Sequence, residues 1–183
     1  MRPYRHEDVD ALHALWTEAE MRRYLWDDVI IPRETAEQTV AASIADVAVH
    51  GYGQWALTLA GDDSIIGFCG FRPWEEGGEP ELLYGLTWPL WGRGLAFEAS
   101  RAGLLYLVRT ARSYKVWAAT DEPNIASQKV LARLGMKAVD SRPGKAWTTL
   151  RYTLTNPGRL LPFDAYVIAD AAAQPQASRV GGD

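Results

Sequence analysis

The stretch that decides the fold is Trp91-Gly92-Arg93-Gly94-Leu95-Ala96, which joins a strand-like run to the longest helical pattern in the chain. Its two glycines leave a turn whose backbone can approach a ligand closely. The first amides of the following helix have no partner inside that helix, and the positive end of the helix dipole lies behind them. Phosphate oxygens fit such a place without a lysine. Residues 91–96, here called the glycine turn, are therefore a candidate anion site, with a plain strand-to-helix corner as the alternative.

Toward the N-terminus from the glycine turn, the sequence predicts two helices followed by three strands. Leu12, Leu15 and Trp16 recur at helical spacing, and a Gly-Asp-Asp turn at residues 61–63 is typical of a hairpin between two strands. The expected bounds are residues 5–24 and 34–50 for the helices and residues 55–59, 65–71 and 81–87 for the strands. Only residues 1–4 remain for a strand before the first helix.

After the glycine turn, helices alternate with strands. The expected bounds are residues 94–112 and 124–134 for the helices and residues 116–119, 136–141 and 148–155 for the strands. Gly135 follows the second of these helices, where the backbone needs a left-handed residue. The element order predicts an α/β (α+β) domain over residues 1–155, with helices on a mixed sheet. Residues 156–183 are expected to be a C-terminal extension, disordered from about residue 174.

The composition limits the classes of function. The chain has 183 residues, 48% of them apolar, and a formal net charge of −4, which fits one folded domain without the basic stripe that nucleic acid needs. Its single cysteine, Cys69, excludes an internal disulfide and is expected to be a buried structural thiol. His6, His13 and His50 share no metal-ligand spacing. We therefore expect a soluble cytoplasmic protein that binds neither nucleic acid, membrane nor metal.

A dinucleotide-binding fold is the first alternative, because Gly92 and Gly94 match the start of its glycine fingerprint. The third glycine position is held by Phe97, whose bulk would prevent the close packing of helix on strand that this fold requires. A predicted hairpin also precedes the turn, where that fold has a βαβ unit. The dinucleotide interpretation therefore fails.

Three motifs, in order along the chain, resemble those of the GNAT superfamily of acetyltransferases. They are the glycine turn, the preceding Glu81-Leu82-Leu83-Tyr84, and Asp121-Glu122-Pro123-Asn124-Ile125-Ala126-Ser127 followed by Val130-Leu131 and Leu134-Gly135. Over roughly residues 2–155 the chain looks like the RimJ/RimL-like branch, the ribosomal-protein N-terminal acetyltransferases and their relatives. The resemblance implies a GNAT-like mixed, mostly antiparallel central sheet that is flanked by helices and splayed between the fourth and fifth strands.

The resemblance further implies an acetyl-CoA site, with the pyrophosphate on the glycine turn and the pantetheine arm where the strands splay. The residues that resemble the family's coenzyme contacts are Leu86, Thr87, Trp91, Gly92, Arg93, Gly94, Leu95, Ala96, Asn124 and Ser127. Backbone N–H groups near Leu86 and Thr87 are the expected donors to the reacting carbonyl oxygen. Asn124 resembles the asparagine that contacts pantetheine, although asparagine is also a good helix N-cap in its own right.

The implied reaction needs a neutral amine that attacks a thioester carbonyl. Glu81 is the candidate base and Asp121 the second choice, with a surface carboxylate at a strand end and a residue before a turn as the alternatives. Ser127, one helical turn after Asn124, is the candidate donor to the departing thiolate, or else a helix residue bonded to its own backbone. Many relatives carry a tyrosine for this purpose where this chain has Leu131.

No recognisable code identifies the acceptor, which is expected to be a small-molecule amine or a protein N-terminus. Its candidate contacts are Asp27, Asp28, Glu81 and Trp147. A non-catalytic acyl-CoA-binding module is the alternative function, because Leu131 and the short N-terminal strand depart from the family pattern. The apolar run over residues 163–169 is a candidate replacement for that strand. We expect a monomer or a homodimer.

Overall fold

The computed structural model describes residues 1–111 and 113–157. The predicted helix end at residue 112, the apolar run over residues 163–169 and the extension after residue 157 lie outside the described residues. The helices are α1 (Val9–Thr17), α2 (Ala19–Leu25), α3 (Arg33–His50), α4 (Leu95–Thr110) and α5 (Ile125–Arg133). The strands are β1 (Arg2–Pro3), β2 (Gln54–Leu57), β3 (Gly67–Pro73), β4 (Pro80–Leu86), β5 (Lys115–Asp121), β6 (Lys137–Pro143) and β7 (Thr148–Thr155).

These strands form one sheet in the order β1-β2-β3-β4-β5-β7-β6. Neighbouring strands are antiparallel except β4 and β5, which run parallel. The strands β3 and β4 pair over their whole length, whereas β4 and β5 meet only at Glu81 and Trp117 and then diverge. The prediction of a mixed, mostly antiparallel sheet splayed between its fourth and fifth strands is therefore confirmed.

Two apolar layers cover the sheet, because successive residues of a strand point to opposite faces. Leu82 and Leu86 of β4 join the core under α4 and α5. Phe68 of β3 joins a second core under α1, α2 and α3, where it packs edge-on against Trp16. Full burial of one such side chain contributes about 1.5–3 kcal/mol, so these two layers supply the main stabilisation of the sheet.

The prediction of one helix over residues 5–24 is wrong. The segment is a 3₁₀ turn (His6–Asp8) followed by α1 and α2, with a break at Glu18, where φ is −53° and ψ is 136°. The Thr87 hydroxyl lies 3.0 and 3.2 Å from the two carboxylate oxygens of Glu18 and donates to them. The break therefore coincides with a tertiary contact to the residue after β4, and no glycine or proline stands there to signal it locally. It redirects α2 toward the gap between β4 and β5.

The other elements lie within a few residues of their predicted bounds. The turn at residues 61–63 joins β2 to β3, and Gly135 ends α5 with a φ of 81°. The expected remnant of a first strand is β1, whose two residues pair with Trp55 and Ala56 of β2. Among residues 1–111 and 113–157, no helix is long and apolar enough to cross a bilayer.

Candidate active site

A cleft of about 570 Å³ opens where β4 and β5 diverge. It is lined by α2, by β4 and the end of β5, by the glycine turn with the start of α4, and by the start of α5. Every residue of β4 from Glu81 to Leu86 contributes to the lining. Because these residues point alternately to the two faces of the sheet, the cleft passes through the sheet from one face to the other.

The glycine turn forms one end of this cleft. Gly92 and Gly94 have φ values of 74° and 81°, in the left-handed region that glycine enters without strain. Gly94 is the N-cap of α4, so the first amides of that helix have no acceptor within it. A Cβ at either glycine would meet no atom within 4 Å, so the space beside the turn is open. Trp91 Nε1 donates to the Leu86 carbonyl at 2.5 Å and fastens the turn to the end of β4.

A second group of polar residues lies at the start of α5. Asn124 Oδ1 accepts a hydrogen bond from the Ser127 backbone N–H at 3.0 Å and so caps the helix. The Ser127 hydroxyl lies 2.8 Å from the Tyr84 hydroxyl, and both side chains line the cleft. Burial raises the pKa of the Tyr84 hydroxyl, and the hydrogen bond with Ser127 lowers it by less, so Tyr84 is protonated at neutral pH. This contact bridges the β4 and α5 walls of the cleft.

Glu81 is the buried carboxylate of the site. Only 4% of its surface is exposed, it lines the cleft, and its carboxylate accepts a hydrogen bond from Arg72 Nε at 2.6 Å. Burial raises the pKa of Glu81, and the neighbouring Arg72 guanidinium lowers it by less. A carboxyl group whose pKa is raised is a better proton acceptor than an exposed one.

The carboxylate and the two hydroxyls approach the cleft from opposite faces of the sheet. Leu83 packs with the core under α1, α2 and α3, whereas Tyr84 packs with the core under α4 and α5. By strand alternation Glu81 shares the face of Leu83. The buried carboxylate therefore lies on the α2 side of the cleft, and the two hydroxyls lie on the α4 and α5 side, where the glycine turn also lies.

One of the two expected oxyanion donors is engaged elsewhere. The Thr87 backbone N–H donates to the Ile66 carbonyl at 2.9 Å, so the structure corrects the expectation that Thr87 offers a free donor. Thr87 also lies outside the lining of the cleft. Because successive N–H groups of a strand point to opposite edges, the N–H of Leu86 faces the β5 side, where the cleft is open.

Several predicted residues do not line the cleft: Asp27, Asp28, Arg93, Asp121 and Trp147. Asp27 Oδ2 lies 3.6 Å from Lys145 Nζ, which joins the loop after α2 to the turn between β6 and β7. Asp28 pairs with Arg22 at 2.9 Å. Asp121 ends β5, and burial together with Asp27 raises its pKa. The two segments predicted to contact the acceptor are thus adjacent, but Asp27, Asp28 and Trp147 are not among the residues that line the cleft.

The sequence did not single out Tyr84 or α2 as parts of the site. Strand alternation could have placed Tyr84 on the face of Leu82 and Leu86, but its contact with Ser127 spans 43 positions and has no local signal. Residues of α2, among them Met21 and Tyr24, reach the cleft because the helix breaks at residue 18. Leu131 is 1% exposed and belongs to the core, so it offers no acid to the cleft.

Neither thiol nor metal chemistry is indicated by the described residues. Cys69 is fully buried in β3, and burial raises the pKa of its thiol to about 12, as expected for a structural thiol. In the part of the chain that the structure describes, no group of three His, Cys, Asp or Glu side chains could hold a metal ion.

The splay between β4 and β5, with the glycine turn beside it, agrees with the sheet that the resemblance to the GNAT superfamily implied. The chain belongs to the GNAT acetyltransferase family, because the family model described as acetyltransferase (GNAT) domain matches residues 1–137. It is thus a GNAT-family N-acetyltransferase, as the sequence motifs indicated.

Individual proteins of this kind are similar over most of the chain. The "Uncharacterized N-acetyltransferase p20" of Bacillus licheniformis is 27% identical over 143 residues, which are 75% of this chain and 78% of that protein. A putative GNAT-family acetyltransferase from Bordetella pertussis has a similar fold, with a TM-score of 0.72, 21% identity and coverage of 83% of this chain and 92% of that one. RimL, a ribosomal L7/L12 α-N-protein acetyltransferase solved with coenzyme A, has a TM-score of 0.70, 16% identity and coverage of 85% and 93%.

Proposed function

We propose that the protein moves the acetyl group of acetyl-CoA to a primary amine by direct attack in a ternary complex. The observation that carries this proposal is the cleft through the sheet, with the glycine turn on one face and Glu81 on the other. A coenzyme that enters from the α4 side and an amine that enters from the α2 side would meet between β4 and β5. Direct transfer requires such a meeting point.

The chain offers matched groups for each part of the coenzyme. The open left-handed glycines and the first amides of α4 would hold the pyrophosphate. Since Asn124 Oδ1 is engaged in the helix cap, its Nδ2 group is the part that would donate to a pantetheine carbonyl. The N–H of Leu86 would donate to the thioester oxygen as negative charge develops there. RimL, which has a similar fold, was solved with coenzyme A, and this supports a coenzyme A site in the present chain.

Glu81 would take the proton that the amine must lose. Deprotonation at pH 7 costs about 1.4 kcal/mol for an α-amine and about 4.6 kcal/mol for a lysine amine. A buried carboxylate with a raised pKa supports this step, directly or through a water. On the opposite face, Ser127 would donate a hydrogen bond to the sulfur as it leaves. Glu81, on one face of the sheet, would thus act on the attacking amine, and Ser127, on the other face, would act on the leaving sulfur.

Two acceptor classes present the required amine, namely small molecules and protein N-termini. The name of RimL describes an enzyme that acts on a protein N-terminus, and its similar fold supports that class as a candidate. The α2 wall, with Met21, Tyr24 and Leu25, would form the surface that meets the acceptor in either case. The test therefore includes both classes.

Two measurements test the proposal in sequence. Isothermal calorimetry with acetyl-CoA is expected to show micromolar binding, and free-thiol release is then measured with a panel of N-terminal peptides, polyamines, amino sugars and lysine. Release with at least one acceptor supports the transferase. Binding without release from any acceptor would favour the non-catalytic acyl-CoA-binding module, and no binding by the folded protein would overturn the coenzyme assignment.

A further inference from the structure

The contact between Tyr84 and Ser127 is a pair of hydroxyls on the coenzyme side of the cleft. The two hydroxyl oxygens are 2.8 Å apart, and the Tyr84 hydroxyl also lies 3.1 Å from the Ser127 backbone carbonyl. The Ser127 backbone N–H is already held by Asn124. Both oxygens near Tyr84 therefore belong to a residue whose backbone is fixed.

The hydrogen-bond inventory of the pair permits two arrangements. Each hydroxyl has one hydrogen and can accept from a second donor. Ser127 can donate to Tyr84 while Tyr84 donates to the Ser127 carbonyl, and the pair is then closed. Alternatively, Tyr84 donates to the Ser127 hydroxyl, and the Ser127 hydrogen is left to point into the cleft. Negative charge that develops in the cleft favours the second arrangement, because it supplies an acceptor for that hydrogen.

We propose that Tyr84 is a positioning residue that directs the Ser127 hydroxyl onto the sulfur of the departing coenzyme. This inference rests on the proposed function and deepens it, because it names the group that organises the leaving-group side. The position held by Leu131 cannot do so, since that side chain is buried in the core. A hydrogen bond donated by Tyr84 to the Ser127 hydroxyl also polarises that hydroxyl, and this strengthens the hydrogen bond that Ser127 donates to sulfur.

In the proposed step, the acyl group moves from sulfur to nitrogen, and the proton that the amine loses is not the one that the thiolate later takes up. The amine nitrogen forms the bond to the carbonyl carbon, and its surplus proton goes to Glu81 and from there to solvent. The carbon–sulfur bond breaks, and sulfur keeps the electron pair as a thiolate. The Ser127 hydroxyl donates a hydrogen bond to that thiolate but retains its proton, and the thiolate takes a proton from water as coenzyme A is released.

Stabilisation by a hydrogen bond, rather than proton transfer, follows from the acidities. The pKa of a free thiol is about 8.5, whereas that of tyrosine is about 10 and that of serine is far higher. Burial raises the pKa of Tyr84 further above its usual value. Full transfer of a proton from the pair to the thiolate would therefore run uphill, while a hydrogen bond to the charged sulfur would not.

The test measures the acidity of the coenzyme A thiol bound to the full-length protein, from the ultraviolet absorbance of its thiolate as pH is varied. In the wild type the thiol pKa is expected to lie below its free value of about 8.5. Tyr84→Phe and Ser127→Ala are each expected to raise it by about 1 pH unit, the size of a hydrogen bond to a charged group. Tyr52→Phe is the matched control, because its hydroxyl bonds the Gly78 carbonyl at 3.5 Å outside the cleft.

Kinetics supply a second readout for an acceptor found in the panel. Tyr84→Phe is expected to lower kcat about tenfold while the KM for acetyl-CoA changes less than about twofold. The double variant Tyr84→Phe with Ser127→Ala should be little worse than Ser127→Ala alone, because Tyr84 acts through Ser127. Ser127→Thr, which keeps a hydroxyl, should retain most of the activity.

The outcomes separate this inference from the proposed function. Bound coenzyme A whose thiol pKa is the same in the wild type and Tyr84→Phe overturns the role of Tyr84 alone. A rise in KM with unchanged kcat, or fully additive effects of the two substitutions, also overturns it. Failure of the wild type to bind coenzyme A overturns the proposed function itself. Melting temperatures of all variants show whether any loss reflects unfolding.

Discussion

The carboxylate of Glu81 accepts a hydrogen bond from Arg72 Nε at 2.6 Å, and the two residues are register partners on β4 and β3. The Glu81 side chain is 6% exposed and that of Arg72 is 47% exposed. The guanidinium of the pair is therefore partly exposed to solvent, while the carboxylate is buried at the edge of the cleft. Burial is the largest cause of the raised pKa of Glu81. A raised pKa suits the proposed role as proton acceptor, whereas the burial of a charged carboxylate at neutral pH destabilises the folded protein.

Replacement of Glu81 by glutamine should separate activity from stability. We expect Glu81→Gln to lower kcat by about 100-fold or more, because it removes the proposed general base. Its melting temperature at pH 7 should equal or exceed that of the wild type, because a neutral amide is easier to bury than a carboxylate. Glu79→Gln is the control, since Glu79 pairs with Lys115 and does not line the cleft. Equal activities of Glu81→Gln and the wild type would exclude Glu81 as the base.

The contribution of Glu81 to stability should decrease as pH rises, because the pKa of its carboxyl group is raised in the folded state. Between its unfolded pKa and its higher folded pKa, Glu81 binds more protons in the folded state. Its contribution to the free energy of unfolding is therefore fully present below its pKa in the unfolded state, and it is lost as pH rises through its pKa in the folded state. The melting temperature of the wild type relative to Glu81→Gln should fall over this window, as measured by thermal unfolding from about pH 4 to pH 8. A rise with pH would contradict the assigned direction.

Removal of Arg72 should shift the acid limb of the rate profile. The Arg72 guanidinium lowers the pKa of Glu81, so Arg72→Gln is expected to move the acid limb of kcat/KM to higher pH. Activity well above that limb should change little, because Arg72 does not line the cleft. Arg33→Gln, which removes a surface ion pair with Asp10, should leave the profile in place. An unmoved acid limb in Arg72→Gln would show that Glu81 does not set it.

A valine at Gly94 should weaken coenzyme binding. Gly94 has a φ of 81° and Gly61 a φ of 80°, and a Cβ at either would meet no atom within 4 Å. Valine at both sites therefore carries the same backbone strain, about 1–3 kcal/mol, but only Gly94 lies beside the amides of α4. Calorimetry should show acetyl-CoA binding weakened at least about tenfold in Gly94→Val and unchanged in Gly61→Val. Equal affinities of the two variants would remove the glycine turn from the coenzyme site.

A tyrosine at Leu131 should not restore the acid that many relatives carry. Leu131 is buried among core residues, so a larger side chain is expected to overpack the core at a cost of about 1–3 kcal/mol. Leu131→Tyr should therefore melt at a lower temperature without a gain in kcat, whereas the volume-conserving Leu131→Met should cost less than about 1.5 kcal/mol. A stable Leu131→Tyr variant with higher kcat would show that the cleft extends to this position.

Local patterns were enough to predict the order of the elements and most of their bounds. The spacing of apolar residues along a helix or strand shows which of its faces is turned toward a core. The apolar residues at those spacings are found in the two cores of the structure. The glycine turn was predictable for a different local reason, because glycine enters the left-handed region without strain, and Gly92 and Gly94 have φ values of 74° and 81°. The cap at Asn124 also follows from its residue type.

Contacts between distant segments were not predictable from such patterns. Glu18, at the break between α1 and α2, accepts a hydrogen bond from Thr87, which is 69 positions away, and Tyr84 reaches Ser127 across 43 positions. Thr87 was expected to offer a free backbone N–H, but its pairing with Ile66 depends on the register of β3 and β4. Hydrogen bonds between distant segments depend on how the helices and strands pack together, and the local spacing of residue types carries no information about that packing.

By itself, the sequence determined which residues face inward, where the chain turns and where glycines adopt a left-handed backbone before a long helix, because these properties depend on side-chain type and backbone freedom at each position. The tertiary structure decided that β4 and β5 separate after Glu81 and Trp117, that Glu81 is buried beside Arg72, and that two hydroxyls meet on the opposite face. The physical reason is that a cleft and its pKa values arise from the packing of several elements at once, and no single segment encodes them.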